Sequence, residues 1–238
     1  MQFTFTQRVI CGLTIPDGKN LAIDGFTFLP DFEGEHMVRH IQTVVEAQTS
    51  EEAQVKAKRL ISDFLAKLAL IDNSKYSLGE DTSVTANGSG VTTHTMSLST
   101  KTCIAQDGNR IKNAYESNSK MKYIRKLPMR HYKDGINTDD PFNKFRNFYR
   151  VLESYDKTGG ITAWIIGKIS NVEMKKNNRG QDITVYTWIR IKLSHSKNQH
   201  GDLTPFLISN PQHVATVMKY LPKMQEFART RIREKEGV

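Results

Sequence analysis

Apolar and polar residues alternate through much of the first hundred positions, a pattern typical of half-buried β-strands. Residues 3–15 (FTFTQRVICGLTI) are rich in β-branched and aromatic side chains and predict a first strand. Asp17-Gly18 predicts a turn, after which residues 21–29 are expected to return as a second strand. Residues 36–47 are predicted as a third strand.

The first helix is predicted where the apolar spacing changes to three or four residues. It covers residues 50–72, with Ser50 as the expected N-cap and Glu51 and Glu52 in the first turn. Its buried face is predicted from five large apolar residues, Val55, Leu60, Phe64, Leu68 and Leu70.

A threonine-rich segment, residues 82–105, follows this helix and predicts a hairpin around Asn87-Gly88. Residues 1–106 are therefore expected to form an N-terminal domain of mixed strands and helix. Residues 107–137 are polar and basic, and we interpret them as a connector with at most one helical piece.

The helical spacing becomes dominant after the connector. Asp140 is an expected N-cap and Pro141 suits the first helical position. Large apolar and aromatic residues then recur at helical intervals and predict a buried face, formed by Phe142, Phe145, Tyr149, Leu152 and Tyr155. Gly159-Gly160 is expected to end this helix.

Two more helices and one ambiguous segment complete the second domain. Residues 161–170 predict a short apolar helix, and Asn210-Pro211 opens a long last one. Residues 182–195 alternate as a strand would, although a helix would also place apolar residues on one face. Local pattern favours the strand. Residues 138–238 are predicted to form one C-terminal domain, so the fold class is α+β.

The charge of the chain is unevenly distributed. The formal net charge is +9, but residues 1–100 hold 8 basic and 12 acidic residues, a net of −4. Residues 101–238 hold 26 basic and 13 acidic residues, a net of +13. Such asymmetry favours an anionic partner for the second half, most simply RNA or another nucleic acid or nucleotide. A basic solvated surface without a ligand is the alternative.

Other sequence features exclude several classes of protein. No apolar run approaches the ~18 residues of a membrane span, and no signal peptide is visible. The two cysteines, Cys11 and Cys103, lie far apart, which favours free thiols in a reducing cytoplasm. No metal-ligand spacing is found, so neither a metal nor another cofactor is expected.

Two segments carry a resemblance to a known family. NTDDPFNKFRNFYRVLESY (137–155) and LSHSKNQHGDLTPFLISNPQHVATVMKYLPKMQEFARTRI (193–232) resemble bacterial methylamine-utilisation accessory proteins. Those domains are similar to the HEPN superfamily. The resemblance implies an all-α bundle, with 182–195 helical, and a metal-independent ribonuclease of a bacterial defence or toxin-like system that acts as a homodimer.

The HEPN motif is an arginine, four to six residues, and a histidine, which Arg190 and His195 match. The guanidinium would bind a phosphate, the imidazole would transfer a proton, and His200 would be a spare acid or base. Further residues are expected to guide the RNA backbone or stack on its bases: Arg125, Lys126, Arg130, His131, Lys192 and Lys197.

Two alternatives stay open. Arg190 could instead pair with a carboxylate such as Asp202, while His195 caps the end of an element. The function would then be that of a non-catalytic nucleotide- or protein-binding module with a degenerate HEPN site.

Overall fold

The chain folds into two compact units, Met1–Tyr123 and Ile124–Val238. The computed structural model describes the chain over seven ranges, residues 1–15, 17–30, 35–88, 92–95, 105–177, 179–194 and 205–238. The boundary between the units falls inside the predicted connector, 107–137. That segment contains more helix than the single piece expected, because its apolar residues are buried and therefore fix it.

The described part of the first unit is built on an antiparallel sheet of six strands in the order β3-β4-β5-β1-β6-β7. The strands of this sheet are β1 (Gln2–Ile10), β3 (Leu21–Ile23), β4 (Phe26–Leu29), β5 (His40–Glu46), β6 (Ser77–Ala86) and β7 (Thr92–Thr95). Two short strands pair separately and in parallel, β2 (Leu13–Thr14) and β8 (Gln106–Asp107). The predicted strands near the N-terminus and the predicted hairpin pairing are thus present, although residues 89–91 and 96–104 lie outside the described part of the chain.

The predicted strand 21–29 was wrong in one respect, because it is a hairpin by itself. Asp24 and Gly25 adopt φ angles of 50° and 83° between β3 and β4. Two consecutive residues at positive φ make a tight turn whose twist matches that of the flanking strands. The neighbours of β1 are therefore β5 and β6, not the segment that follows it in sequence.

One long helix, α1 (Ser50–Asp72), packs on this sheet. Its N-cap is Thr49, one residue before the predicted Ser50, and the Thr49 hydroxyl accepts from the Glu52 N–H. The predicted buried face was partly wrong: Phe64, Leu68 and Leu70 are buried, but Val55 is 72% and Leu60 37% exposed. The buried residues of α1 that the prediction omitted include Ala53, Ala57, Ile61 and Leu65.

The end of the first unit lies within the predicted connector. It comprises α2 (Gly108–Glu116) and a 3₁₀ helix (Ser119–Tyr123). Tyr115 of α2 is buried and donates its hydroxyl hydrogen to Asp24 at 2.7 Å. A buried aromatic anchor of this kind explains why a polar segment takes a fixed structure.

In the second unit, α4 is the central helix and contacts every other helix described. The helices are α3 (Lys126–Asn137), α4 (Pro141–Glu153), α5 (Thr158–Lys168), α6 (Val185–Ser194) and α7 (Pro211–Glu236). Asp140 caps α4 by accepting from the Phe142 N–H, and Asn210 caps α7 by accepting from the Gln212 N–H. Both helix starts are confirmed.

Three expectations for this unit differ from the structure. It is not all-α, because β9 (Met174–Lys176) and β10 (Asp182–Thr184) form a hairpin before α6. Of the predicted segment 182–195, the described residues 182–194 begin as a strand and continue as a helix. Gly159-Gly160 does not end α4, which stops at Glu153, and instead lies in the first turn of α5. The coarse fold class holds: strands come first and helices dominate afterwards.

None of the helices in the described part of the chain is long and apolar enough to span a membrane.

Candidate functional site

Arg190 lies near the C-terminal end of α6, where it meets the last residue of α4. Its Nη2 is 2.7 Å from Oε1 of Glu153, and the two side chains are 34% and 29% exposed. The pair is therefore half-buried, with one side open to solvent. An arginine in this setting is held in a fixed direction and still reaches the surface.

A layer of hydroxyl groups lies beside this ion pair and explains its position. Tyr149, one turn before Glu153 on α4, has its hydroxyl 3.0 Å from Oγ1 of Thr187. Thr187 in turn lies 3.2 Å from Oγ1 of Thr184, which also accepts from the Thr187 N–H. Because Thr184 directly precedes α6, it caps the first turn of that helix. These bonds hold α6 against α4 and thereby fix the position of Arg190 relative to Glu153.

Burial raises the pKa of Tyr149 to about 12, with Glu153 acting in the same direction and Thr187 and Arg190 opposing. The Tyr149 phenol is thus neutral near pH 7, and it serves as a fixed hydrogen-bonding group rather than as a proton donor in catalysis.

His131 on α3 belongs to the same group of side chains. Its pKa is lowered from the usual value of 6.5, first by partial burial and then by the positive charge of Arg150. The carboxylates of Asp134 and Glu153 act in the opposite direction. The imidazole is consequently neutral near pH 7 and able to accept a proton.

Three helices thus contribute to one cluster, which we call the α4-end cluster: His131, Arg150, Glu153 and Arg190. Arg150 and Glu153 lie three residues apart and share a face of α4, with Arg150 exposed to solvent. Arg146 lies one turn earlier on that face, and its buried Nε has no hydrogen-bond partner among the described residues. The cluster combines a neutral base, a carboxylate and guanidinium groups, which are components that suit a phosphate ester.

The predicted site residues are only partly brought together. Arg190 pairs with Glu153, and the charge of the same carboxylate acts on the pKa of His131. Arg125 instead pairs with Glu236 at 2.9 Å and lies over the ring of Tyr155 at 4.4 Å.

The remaining predicted residues lie elsewhere or outside the described chain. Lys126 is exposed and Arg130 half-buried in the first turns of α3. Lys192 lies near the ring of Trp188. The predicted residues His195, Lys197 and His200 fall outside the described residues, as does Asp202.

Sequence reasoning missed Glu153 and Arg150. Both occur in the helix that was interpreted for its aromatic residues, and a solvated charge on such a helix is usually uninformative. The signal that could have found them is their i, i+3 spacing in a helix whose start was clear. Among the described residues, no group of three or more histidine, cysteine or acidic side chains could hold a metal ion.

Comparison with known proteins supports the resemblance in the second unit. Residues 128–233 match the family model described as methylamine utilization protein MauJ. The second unit is similar to MauJ, and the matched range contains all four residues of the α4-end cluster. No curated protein and no solved structure has a significant match to the chain.

Proposed function

We propose that the second unit is a metal-independent endoribonuclease with a HEPN-like site, acting on single-stranded RNA as a homodimer. The observation that carries the proposal is the α4-end cluster, in which Arg190 of α6 pairs with Glu153 of α4 while Arg150 and Glu153 act on the pKa of His131 on α3. Perturbed titratable groups of this kind mark functional sites more often than ordinary surface does. A role in a bacterial defence or toxin-like system rests on the HEPN resemblance alone.

We assign phosphate binding to the two arginines of the cluster. Arg150 is exposed to solvent. The described contact of Arg190 with Glu153 uses Nη2, one of the two terminal amino groups of its guanidinium. A guanidinium has five N–H donors, so Arg190 can keep its carboxylate partner and still donate to a phosphate oxygen. Glu153 then has a positioning role, since it directs the arginine.

We assign proton transfer to the histidines. The neutral His131 imidazole takes the proton of an RNA 2′-hydroxyl, whose oxygen then forms a bond to the adjacent phosphorus. The bond from phosphorus to the 5′-oxygen breaks, and that oxygen takes a proton from an acid, for which His195 is the first candidate. The products are a 2′,3′-cyclic phosphate and a 5′-hydroxyl. No metal is required, because the guanidinium groups stabilise the charge that develops on the phosphate.

The test is cleavage of single-stranded RNA in the presence of EDTA, with the product ends identified by mass spectrometry. Arg190→Ala and His195→Ala should each abolish cleavage and leave the circular dichroism spectrum unchanged. Arg179→Ala is the matched control, since Arg179 is an exposed arginine in the loop between β9 and β10. Sedimentation of the intact protein tests the homodimer.

A second candidate is a non-catalytic binding module, and one observation favours it. The C-terminal end of a helix carries partial negative charge, so an arginine that pairs with Glu153 at the end of α4 also stabilises that helix. Arg190 would then be structural. In that case wild-type protein binds RNA without cleaving it, and Arg190→Ala lowers the unfolding temperature.

A further inference from the structure

The opposite face of α6 carries a second group of side chains, centred on Trp188. We infer that Trp188, together with Lys175 and Lys192, forms a binding site for a base and the flanking phosphates of single-stranded nucleic acid. This site is separate from the α4-end cluster. The same binding is expected whether the second unit is a nuclease or a non-catalytic binding module, because binding requires no cleavage.

Helix geometry separates the two sites. Trp188 and Arg190 are two residues apart on α6, which places them about 200° apart around the helix axis. Trp188 and Lys192 are four residues apart and therefore share a face. Lys175 reaches the same ring from β9, the outer strand of the short hairpin.

Two ammonium groups surround a partly exposed indole ring. The Nζ atoms of Lys175 and Lys192 lie 5.8 Å and 5.5 Å from the centre of the Trp188 ring. Each distance is that of a cation–π contact. A base stacked on the indole would carry its flanking phosphates to the edge of the ring, where long lysine side chains can follow them.

The indole is held in place from the other side. Phe206 meets Trp188 at 5.4 Å between ring centres and an angle of 83°, and it stacks on His213 at 4.6 Å. The Phe206 N–H also donates to the Lys192 carbonyl at 3.0 Å. A ring fixed by its neighbours loses little conformational freedom when a base stacks on it, which favours binding.

The charges around Trp188 suit a polyanion. Glu173 pairs with Lys175 at 2.8 Å and accepts from the Tyr220 hydroxyl. The pKa of Glu173 is lowered first by its hydrogen bond with Lys175 and then by that with Tyr220, while Lys219 contributes least. Two ammonium groups therefore lie near the Trp188 ring, and that of Lys175 also pairs with Glu173.

The experiment uses the full chain and an oligothymidylate, which has no 2′-hydroxyl and therefore cannot be cleaved by the proposed reaction. The chain has two tryptophans, so Trp164→Phe leaves Trp188 as its single indole fluorophore. Binding of the oligonucleotide should quench this fluorescence, with an affinity that falls as salt rises. Unmodified protein, measured by anisotropy of a labelled oligonucleotide, checks that Trp164→Phe itself leaves the affinity unchanged.

Two further variants separate stacking from charge. Trp188→Leu should weaken binding about tenfold at constant salt, whereas Trp188→Phe should retain most of the affinity. Lys192→Gln should reduce the slope of log affinity against log salt by about 0.7, the value for one contact with a single strand. Circular dichroism confirms that each variant is folded.

Several results would overturn the inference. One is oligonucleotide binding that leaves the Trp188 fluorescence unchanged, and another is a folded Trp188→Leu protein with wild-type affinity. Failure to bind the oligonucleotide at low salt also overturns it, and leaves the patch as a surface for protein contacts. Because the oligothymidylate cannot be cleaved, its binding at Trp188 is measured independently of catalysis, so this test can succeed where the ribonuclease proposal fails.

Discussion

Gly135 is the position in the second unit at which the structure predicts the sharpest effect of a single methyl group. It lies in α3 and is covered by the ring of Phe148 from α4. A Cβ atom added at Gly135 would stand 2.6 Å from Cε1 and 2.7 Å from Cδ1 of Phe148. We therefore expect Gly135→Ala to destabilise the second unit, against the usual preference of helices for alanine.

The magnitude follows from two opposing effects. Carbon atoms in contact normally stand about 3.5–4.0 Å apart, so the ring must withdraw by about 1 Å. Phe148 is fully buried and lies 5.6 Å from the Tyr132 ring, so it has little space to move. Overpacking of a core costs about 1–3 kcal/mol. Replacing a helical glycine by alanine stabilises the helix by about 0.8–1.0 kcal/mol. The expected net loss is about 1 kcal/mol.

The matched control is Gly167→Ala in α5, where an added Cβ meets nothing within 4 Å. This variant should be stabilised by about 0.8–1.0 kcal/mol, since only the helix preference acts. Both tryptophans of the chain, Trp164 and Trp188, lie in the second unit, so their fluorescence during urea unfolding follows that unit. Equal or greater stability of Gly135→Ala than wild type would refute the argument that Phe148 is fixed.

Three other predictions concern the site. Thr187→Val should lower the free energy of unfolding by about 1–3 kcal/mol, because it leaves the buried Tyr149 hydroxyl unpaired. Tyr149→Phe should lower it by about 0.5–1.5 kcal/mol. In urea unfolding the double variant should cost less than the sum of the two. Because the folded pKa of His131 lies below 6.5, the folded state binds fewer protons there. Stability should therefore fall as pH drops from 6.5 through the folded pKa, and His131→Gln should flatten this dependence in urea midpoints. By NMR titration, Arg150→Gln should raise the pKa of His131 and Glu153→Gln should lower it; shifts in the reverse directions would contradict the cluster.

Helix starts could be predicted from the sequence because they depend on a few adjacent residues. Asp140 followed by Pro141, and Asn210 followed by Pro211, satisfy the first N–H groups of a helix through short-range bonds alone. The face that α1 buries could not be predicted in the same way. Small residues such as Ala57 let a helix approach a sheet, whereas a search for large apolar residues selects Val55.

The segment 182–195 shows how tertiary contacts decide an ambiguous pattern. Its first residues pair with β9, and Thr184 then caps the helix that follows. The alternation therefore predicted a strand correctly over residues 182–184, but wrongly over residues 185–194, which are helical. The ion pair of Arg190 with Glu153 was also invisible in the sequence, because 37 positions separate the two residues and their meeting depends on how α6 packs against α4.

The positive charge of the second unit is less available to a ligand than its sum suggests. Three arginines pair with carboxylates on or just after α4 and at the end of α7: Arg190 with Glu153, Arg231 with Asp156, and Arg125 with Glu236.

Arg231 is buried and also lies over the Trp164 ring at 4.9 Å, so its charge serves the fold. Arg190 differs from it in one physical respect, since a third of its side chain is exposed beside the exposed Arg150. A phosphate placed there meets two guanidinium groups and one carboxylate. If the second unit binds RNA as proposed, attraction to the α4-end cluster depends on Arg150 as much as on Arg190, and Arg150→Gln should weaken RNA binding even where Arg190 stays paired.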